Sequence, residues 1–485
     1  MKKYIYIVIF AVLGLTLNSC DLETSPSTAA DDTLVFSSVE NVDRVLNGTW
    51  RYIMETYSTW ANPGWASLLL TSEAMGSDAV VRNAYGFYNQ YTFQATNQSN
   101  NGTVAHIWAL AYRAIDNMNH IITKIDDVPG DTATKNRIKA QAYALRGYMY
   151  LNLGTFFVGK YSENANNLAV PIYTTPTDGS AVGNARETLS RVMKQAEDDL
   201  LAAHGLIGSW SHGTAKHKIT RNIISGILAR LYLQREDWAD AAKFAAEAET
   251  NYNWMPQADY LLGFNDLGNA EWIWAHGQTT DQNNIHISYL DVTLSSTEGY
   301  ANFMADPFFM GLFDEDDVRT QLFQWNTTHF PGFLMYKKFR QRPNTTADQV
   351  LMRKAEMVLI QAEALAGQNL LPGAIAKLNE LRNARGAQTP DLSTLSQAEL
   401  VEEILIERRK ELFGEGFALS DIKRRGKSVV RRALPDGMVV PGTEILARGH
   451  NILQFPNGTP FVANSPFYDF TFPVTETDRN PNWKN

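Results

Sequence analysis

Small and apolar residues recur at helical spacing in two distant parts of the chain. Ala241 is followed four and seven residues later by Ala245 and Ala248, and the same offsets of small and apolar residues recur from Ala374. Steps of three and four place side chains on one face of a helix. Small residues on that face let two helix axes approach closely, as in tetratricopeptide repeats. The sequence therefore predicts a mainly α-helical fold built from tetratricopeptide-like helix pairs.

About four such pairs are predicted, each with an apolar stripe at steps of three and four. The predicted pairs are residues 39–54 with 108–125, 137–157 with 188–203, 219–234 with 238–250, and 351–366 with 373–385. A further helix is expected from Leu400 to Leu412, where many charged residues surround the apolar ones. The basic run at 423–432 is interpreted as a solvated face.

Helical periodicity disappears in two long segments, about residues 55–103 and 254–342. They are predicted to be irregular loop inserts in the helical scaffold. In the second insert, residues 271–276 alternate like a short strand, and residues 306–317 suggest a short helix.

The amino terminus has the layout of a bacterial lipoprotein signal. Lys2 and Lys3 precede an apolar run at residues 4–17, which is too short to span a bilayer comfortably. The run ends close to Cys20, the only cysteine, although Asn18 stands where a small residue is usual. Lipidation of Cys20 is therefore predicted. The alternative is a plain signal peptide with an incidental cysteine.

This pattern divides the chain into a signal peptide at 1–19, a polar tether at 20–36 and a single domain at 37–485. No later stretch reaches the roughly 18 consecutive apolar residues of a transmembrane helix. Anchoring through lipid alone is therefore expected.

Several spaced motifs occur along the chain: Arg353-x2-Glu356-x6-Glu363-Ala364, Leu378-Asn379-x2-Arg382, Glu407-Arg408-Arg409-Lys410-Glu411-Leu412 before Glu415-Gly416, and Arg146-Gly147-x2-Tyr150-x3-Gly154. Together they resemble the SusD/RagB family, the nutrient-capturing surface lipoproteins of Bacteroidetes. Ala418 stands where the family usually has an arginine, and this departure concerns one structural ion pair rather than the fold.

The resemblance implies a SusD-like fold and a function without catalysis or cofactor. Such a protein would be lipid-anchored in the outer membrane and face the cell exterior, and Asp21 and Glu23 are similar to the acidic flank of exported lipoproteins. It would capture an oligosaccharide or other glycan for a partner SusC-like TonB-dependent transporter. Some relatives take peptides, so an oligopeptide ligand stays open, as does a tetratricopeptide scaffold that binds proteins.

Aromatic residues are concentrated in the first insert. They are Tyr57, Trp60, Trp65, Tyr85, Phe87, Tyr88, Tyr91 and Phe93. Rings on loops can stack on the apolar face of a sugar while polar neighbours bind its hydroxyls. The predicted ligand-binding residues are Trp60, Trp65, Tyr85, Tyr88, Asp78 and Arg82, with Trp325 in the second insert. The alternative is a satellite core beneath the loops, and most aromatic residues of 300–339 are assigned to core.

Other functional classes find little support in the sequence. The net charge of −9 argues against nucleic-acid binding. No pair of carboxylates can be singled out for glycosidase chemistry, and no nucleophile, zinc or phosphate-loop motif occurs. The acidic cluster at 314–317 could suggest calcium, but it lacks the glycine and closing glutamate of an EF-hand loop, and the family has a similar Asp-x-Arg as structure. No metal site is predicted.

The lipid anchor can be tested at Cys20. We expect Cys20→Ala to release the protein from the membrane fraction and to abolish its labelling by fatty acid, because no other thiol can be acylated. A matched Ser19→Ala variant should stay membrane-bound. Cys20→Ala protein that still sediments with membranes and still carries fatty acid would contradict the prediction.

Overall fold

The computed structural model describes residues 32–55, 62–94, 98–178 and 180–484. The predicted signal peptide, Cys20, most of the predicted tether and Trp60 lie outside these ranges. Within them, no helix is both long enough and apolar enough to cross a membrane.

Packed helices form the scaffold. The longer ones are α1 (Val39–Glu55), α2 (Ala66–Ala74), α3 (Gly102–Lys124), α4 (Thr132–Phe157), α5 (Leu189–Leu206), α6 (Arg221–Arg235), α7 (Trp238–Glu249), α8 (Lys354–Gly367), α9 (Leu371–Arg385), α10 (Gln397–Leu412) and α11 (Ala418–Arg424). The four predicted pairs are confirmed, since α1 packs on α3, α4 on α5, α6 on α7 and α8 on α9. Contacts of α3 with α4, of α5 with α6 and of α7 with α8 join the pairs into a continuous array.

Small residues occupy the helix crossings, as the sequence indicated. A Cβ added to Gly147 on α4 would lie 2.9 Å from Leu200 Cγ on α5. The neighbouring Arg146 makes two hydrogen bonds to the Asp199 carboxylate, at 2.8 and 2.6 Å, and donates a third to Asn119 Oδ1 on α3 at 2.7 Å. The helices are thus held by close packing and by a buried ion pair with satisfied donors.

Eight short strands supplement the helices. They are β1 (Ala79–Val81), β2 (Leu168–Pro171), β3 (Arg186–Thr188), β4 (Trp272–His276), β5 (Phe303–Ala305), β6 (Phe323–Trp325), β7 (Leu334–Tyr336) and β8 (Gln349–Arg353). β2 pairs with β3 and β4 with β8, both antiparallel. The remaining strands form an antiparallel sheet in the order β1-β5-β7-β6. This four-stranded sheet joins the two predicted inserts, because β1 belongs to the first and the other three strands to the second.

Strands β1, β5 and β7 of the four-stranded sheet are buried on both faces, while the edge strand β6 is partly exposed. Val81 and Phe303 lie opposite each other on one face and belong to a hydrophobic core separate from that of the helix pairs, here called the second core. Val80 and Met304 lie opposite each other on the other face, within a small third cluster. The second insert is therefore a packed unit rather than a set of surface loops.

Local predictions failed in two places and were met only in part in a third. Helix α2 was not predicted because it is buried on nearly all sides and therefore shows no amphipathic stripe. Residues 349–353, which include the start of a predicted helix, form strand β8 because they pair with β4. Between 306 and 317 the helix is only Pro307–Met310.

Charged side chains form a buried network between the second insert and the scaffold. Its members are Glu271, Asp317, Arg319, Lys338, Arg353, Arg385, Glu407, Glu411 and Glu415. Glu411 on α10 is the centre, since it accepts hydrogen bonds from Arg319 at 2.8 Å, from Arg353 at 2.5 Å and from Arg385 at 2.8 Å. All four of these side chains are fully buried.

The pKa values of the network carboxylates follow from this arrangement. Burial alone would raise the pKa of Glu411, but Arg385, Arg353 and Arg319 outweigh it and hold the pKa well below its ordinary value. Burial would also raise the pKa of Glu407, but the charges of Arg319 and Lys410 outweigh it and lower this pKa to about 2. Both carboxylates are therefore charged in the folded protein at neutral pH.

The basic run at 423–432 is not a solvated face, and this interpretation was wrong. Lys423, Arg424 and Arg431 are buried. Arg424 makes hydrogen bonds of 2.5 and 2.8 Å to the Glu363 carboxylate, and Arg431 donates to backbone carbonyls that include Ala74 O at 2.9 Å. These side chains are buried because carboxylates and carbonyl oxygens surround them.

Ala418 fits a close approach between the first insert and the scaffold. A Cβ added to Gly76 would lie 2.6 Å from Ala418 Cβ, so this contact requires small residues on both sides. Beside it, the Glu73 carboxylate accepts backbone N–H groups from Gly414 at 3.1 Å and Gly416 at 2.8 Å. Backbone donors hold this junction.

Substitutions within α10 should show that a buried carboxylate contributes more to stability than an exposed one. Glu411→Gln leaves three buried guanidinium groups partly uncompensated, so we expect the free energy of unfolding to fall by about 3–5 kcal/mol. Glu402 lies on the same helix with a side chain 52% exposed. Glu402→Gln should therefore change that free energy by no more than about 0.5 kcal/mol. Chemical denaturation of both variants measures the difference, and equal losses would contradict a structural role for the network.

The network also predicts how stability depends on pH. The pKa of Glu407 is lower in the folded chain than its ordinary 4.5, so its stabilising contribution is complete above about pH 4.5 and is lost as the pH falls towards about 2. The free energy of unfolding of Glu407→Gln should fall less steeply over this range, because glutamine takes up no proton. Denaturation curves of the wild type and of Glu407→Gln at a series of pH values test this prediction. It would be refuted if the free energy of unfolding depended equally steeply on pH in both.

Candidate functional site

Three tyrosine rings form a ladder from the second core to the surface. Tyr289 is buried in the short helix Ile287–Leu290, and the Tyr300 ring stacks on it with centroids 4.7 Å apart. The Tyr85 ring follows, 5.0 Å from that of Tyr300. Tyr85 is 60% exposed, so the outer ring of this tyrosine ladder presents an aromatic face to solvent.

Buried polar groups fix the loop that carries Tyr85. The side-chain amide of Asn302 donates to the carbonyl oxygens of Tyr85 and Gly86. Gly86 has a φ of 58°, in the left-handed region that glycine adopts without strain. Arg82 N donates to Asn302 O at 3.0 Å, which ties the start of the loop to the same residue. The exposed ring therefore stands on a rigid support.

Arg82 also supports the ladder. Its Nε donates to Ala301 O at 3.0 Å and its Nη2 to Tyr300 O at 3.1 Å, while the guanidinium carbon lies 3.3 Å from the ring centroid of Phe330. Burial, together with the charge of Arg448, lowers the pKa of Arg82 to about 10. Arg82 is thus charged at neutral pH, and its described bonds hold the segment that carries Tyr300.

Asp78 lies at the other end of strand β1 from Arg82. Its carboxylate makes hydrogen bonds of 3.0 and 2.6 Å to Arg409 on α10. It lines a cavity of about 200 Å³ between α10, α11 and the first insert, together with Ala418. The structure therefore does not bring Asp78 to the tyrosine ladder.

Trp65 is a core residue, and its assignment to the exposed stacking rings was wrong. Only 1% of it is exposed, and its indole N–H donates to Tyr148 Oη at 3.1 Å. Phe87, Tyr91 and Phe93 are also buried, which fits the alternative of a core beneath the loops for much of this insert.

The other two described candidates are half-buried. Tyr88 accepts a hydrogen bond from Asn451 at 3.2 Å and packs against the second core. Trp325 lies on β6, at the opposite edge of the four-stranded sheet from β1, and packs against the same core. Three strand spacings of roughly 4.8 Å put the two edges about 14 Å apart.

Sequence reasoning missed the support of the site. Tyr300 was not among the predicted ligand-binding residues, yet it is half-exposed and contacts Tyr85. Its sequence neighbour Gly299 is the one local sign of a turn, comparable to Gly86 beside Tyr85. Asn302 gave no signal, because its partners lie more than 200 positions away in the chain.

The acidic cluster at 314–317 is partly a structural ion pair. Asp317 accepts hydrogen bonds from Arg319 Nε at 2.9 Å and Nη2 at 2.7 Å, as the family resemblance suggested. In the described ranges, no three His, Cys, Asp or Glu side chains are grouped so as to hold a metal ion.

Comparisons with known proteins agree with this fold. A family model described as starch-binding and associating with the outer membrane matches residues 22–233, and the SusD family model matches residues 314–438. SusD-like protein P38 of Formosa agariphila is 36% identical over 87 residues, which are 16% of this chain and 17% of that protein.

Solved structures match over much more of the chain. A SusD-like carbohydrate-binding protein from Bacteroides vulgatus is 39% identical, with a TM-score of 0.87 over 92% of this chain and 97% of that chain. A SusD superfamily protein from Bacteroides thetaiotaomicron has a TM-score of 0.77 at 21% identity, over 92% of this chain and 99% of that chain. This chain therefore belongs to the SusD/RagB family.

Proposed function

We propose that this protein is a cell-surface lipoprotein that captures oligosaccharides and presents them to a SusC-type TonB-dependent transporter. The observation that carries the proposal is the exposed ring of Tyr85 on its rigid ladder. A pyranose has one apolar C–H face, which stacks on such a ring, and a rim of hydroxyls. The exposed side chain of Asn83 and the phenol groups of the ladder are suitable partners for those hydroxyls.

The site suits capture without chemistry. Glycoside hydrolysis needs two carboxyl groups that face each other across the bound sugar. The residues that build the tyrosine ladder are three phenols, an amide and a guanidinium that holds backbone carbonyls. Capture followed by release to a transporter requires only stacking and hydrogen bonds. The carbohydrate-binding relative from Bacteroides vulgatus supports an oligosaccharide over a peptide as the ligand.

Localisation follows from the predicted lipid at Cys20. Acylation there would hold the chain on the outer membrane, and the polar tether would let the folded part reach the transporter. Trp325 and Tyr88 lie near the same sheet, so an extended oligosaccharide that stacks on Tyr85 could continue towards them. We regard these two residues as secondary contacts.

Removing the outer ring should weaken binding without unfolding the protein. An oligosaccharide that binds the wild type on a glycan array would be titrated against Tyr85→Ala. We expect affinity to fall by about 1–3 kcal/mol, the range seen when one aromatic stacking partner is removed. The melting temperature should hardly change, because truncation of an exposed ring leaves no cavity.

Two control variants sharpen this test. Tyr52→Ala removes a tyrosine that is 37% exposed on α1 and should leave affinity unchanged. Trp65→Ala should instead lose about 3–5 kcal/mol of stability, as a core aromatic does. Normal oligosaccharide binding by Tyr85→Ala, or steady hydrolysis of the oligosaccharide by the purified protein, would refute the proposal.

A further inference from the structure

A cavity with aromatic walls lies on the helical scaffold, and none of its lining residues belongs to the tyrosine ladder. It has a volume of about 250 Å³ and is bounded by α3, the segment that follows β2 and the short helix Val474–Arg479. Its walls include the rings of Trp108, Tyr112 and Tyr173. We call it the Trp108 cavity.

The three rings have fixed orientations. The centroids of Trp108 and Tyr112 are 4.7 Å apart, and the Tyr173 ring stands at 88° to that of Tyr112. Tyr112 Oη donates to Pro171 O at 2.8 Å, and Tyr173 Oη accepts the N–H of Asn184 at 2.9 Å. The rings therefore form a preformed angled wall.

The polar groups of the cavity are acidic. Asp116, Asp178 and Glu476 line it, and no Lys, Arg or His is among its described lining residues. In the described part of the chain, neither Glu476 nor Asp178 forms an ion pair within 4.0 Å, and Asp116 reaches only His120, at 4.0 Å. Half-buried beside the rings, Glu476 has a pKa raised by burial despite a hydrogen bond from Trp108.

No described lysine or arginine lines this cavity. Beyond Lys3, the residues outside the described ranges contain no lysine or arginine. The nearby Arg186 is already engaged, because its guanidinium carbon lies 4.9 Å from the Trp483 ring centroid and its Nε donates to Trp483 O at 3.2 Å. Space beside these carboxylates is thus left for a cation from another molecule.

We infer that the Trp108 cavity binds an organic cation, an ammonium or guanidinium group, between its aromatic walls and Glu476. Aromatic faces attract such cations most strongly where water is excluded. A neutral sugar could also contact the rings, but it would leave the partly buried Glu476 carboxylate with its hydrogen bond from Trp108 and without a counter-charge. The cation could be an amino sugar or a basic side chain of a peptide, since both carry the same group.

Choline and its uncharged carbon isostere, dimethylbutanol, test for recognition of charge. They share a shape, so a cavity that only buries apolar groups binds them equally. Calorimetric titration of the wild-type protein should give an affinity for choline at least about tenfold higher than for dimethylbutanol. Equal affinities would overturn the inference.

Variants then assign binding to the cavity. Glu476→Gln keeps the shape and removes the charge, so choline affinity should fall about tenfold while dimethylbutanol affinity stays the same. Tyr173→Leu should lose choline binding, whereas Tyr173→Phe, which keeps the ring, should retain it. The melting temperature of each variant shows whether it is folded. Choline binding that Glu476→Gln leaves unchanged would refute this site.

Two further probes distinguish the source of the cation. Glucosamine is compared with glucose. Nα-acetyl-lysine methylamide, which keeps its side-chain ammonium group, is compared with the uncharged form that is also acetylated at Nε. Stronger binding of the charged member of one pair identifies that source. The inference fails if no charged probe binds, or if the uncharged member binds as well as the charged member in both pairs. Tyr85→Ala should leave the choline and lysine results unchanged, so they stand apart from the proposed oligosaccharide site.

Discussion

The buried network around Glu411 connects the two halves of this architecture. Arg319 and Lys338 come from the second insert, Arg353 from strand β8, and Arg385 from the end of α9. Apolar packing alone would tolerate many positions of the insert against the helices, whereas a guanidinium paired with a carboxylate in the interior tolerates few. Each charge is fixed by its partners, and a displaced insert would leave several of them buried and unpaired. The helical scaffold therefore determines where the four-stranded sheet lies.

The tyrosine ladder depends on that placement. Strand β1 and the loop with Tyr85 belong to the first insert, while Tyr300 and Asn302 belong to the second. The exposed ring is positioned only when strands of the two inserts, which are more than 200 residues apart in the chain, meet in one sheet. A sugar that stacks on Tyr85 would meet a surface already in place, so little conformational entropy would be lost on binding. The stability of the scaffold and the affinity of the site are linked in this way.

Local sequence pattern predicted the helix pairs and failed where distant partners decide. The pairs have a 3.6-residue period that can be read within each segment, and all four were confirmed. The four-stranded sheet consists of three-residue strands, too short for an alternating pattern to be recognised. Helix α10 is more instructive, because Glu407 and Glu411 continue the apolar positions Leu400 and Ile404 at steps of three and four. Carboxylates that continue an apolar stripe indicate buried pairs with arginine. This sign is overlooked when every run of charged residues is interpreted as solvent-exposed.

The aromatic residues of the first insert show why composition alone could not locate the site. An excess of rings fits both a core and a binding surface, and the insert contains both: Trp65 and Tyr91 are buried, and Tyr85 is exposed. What separates them is the backbone. Tyr85 lies in a turn between exposed Asn83 and left-handed Gly86, where a side chain cannot reach the core beneath. The same excess of rings in the Trp108 cavity arises on a regular helix, where Trp108 and Tyr112 are one turn apart. An aromatic pair at that spacing is usually read as core, and only the folded structure shows that these rings also line a cavity.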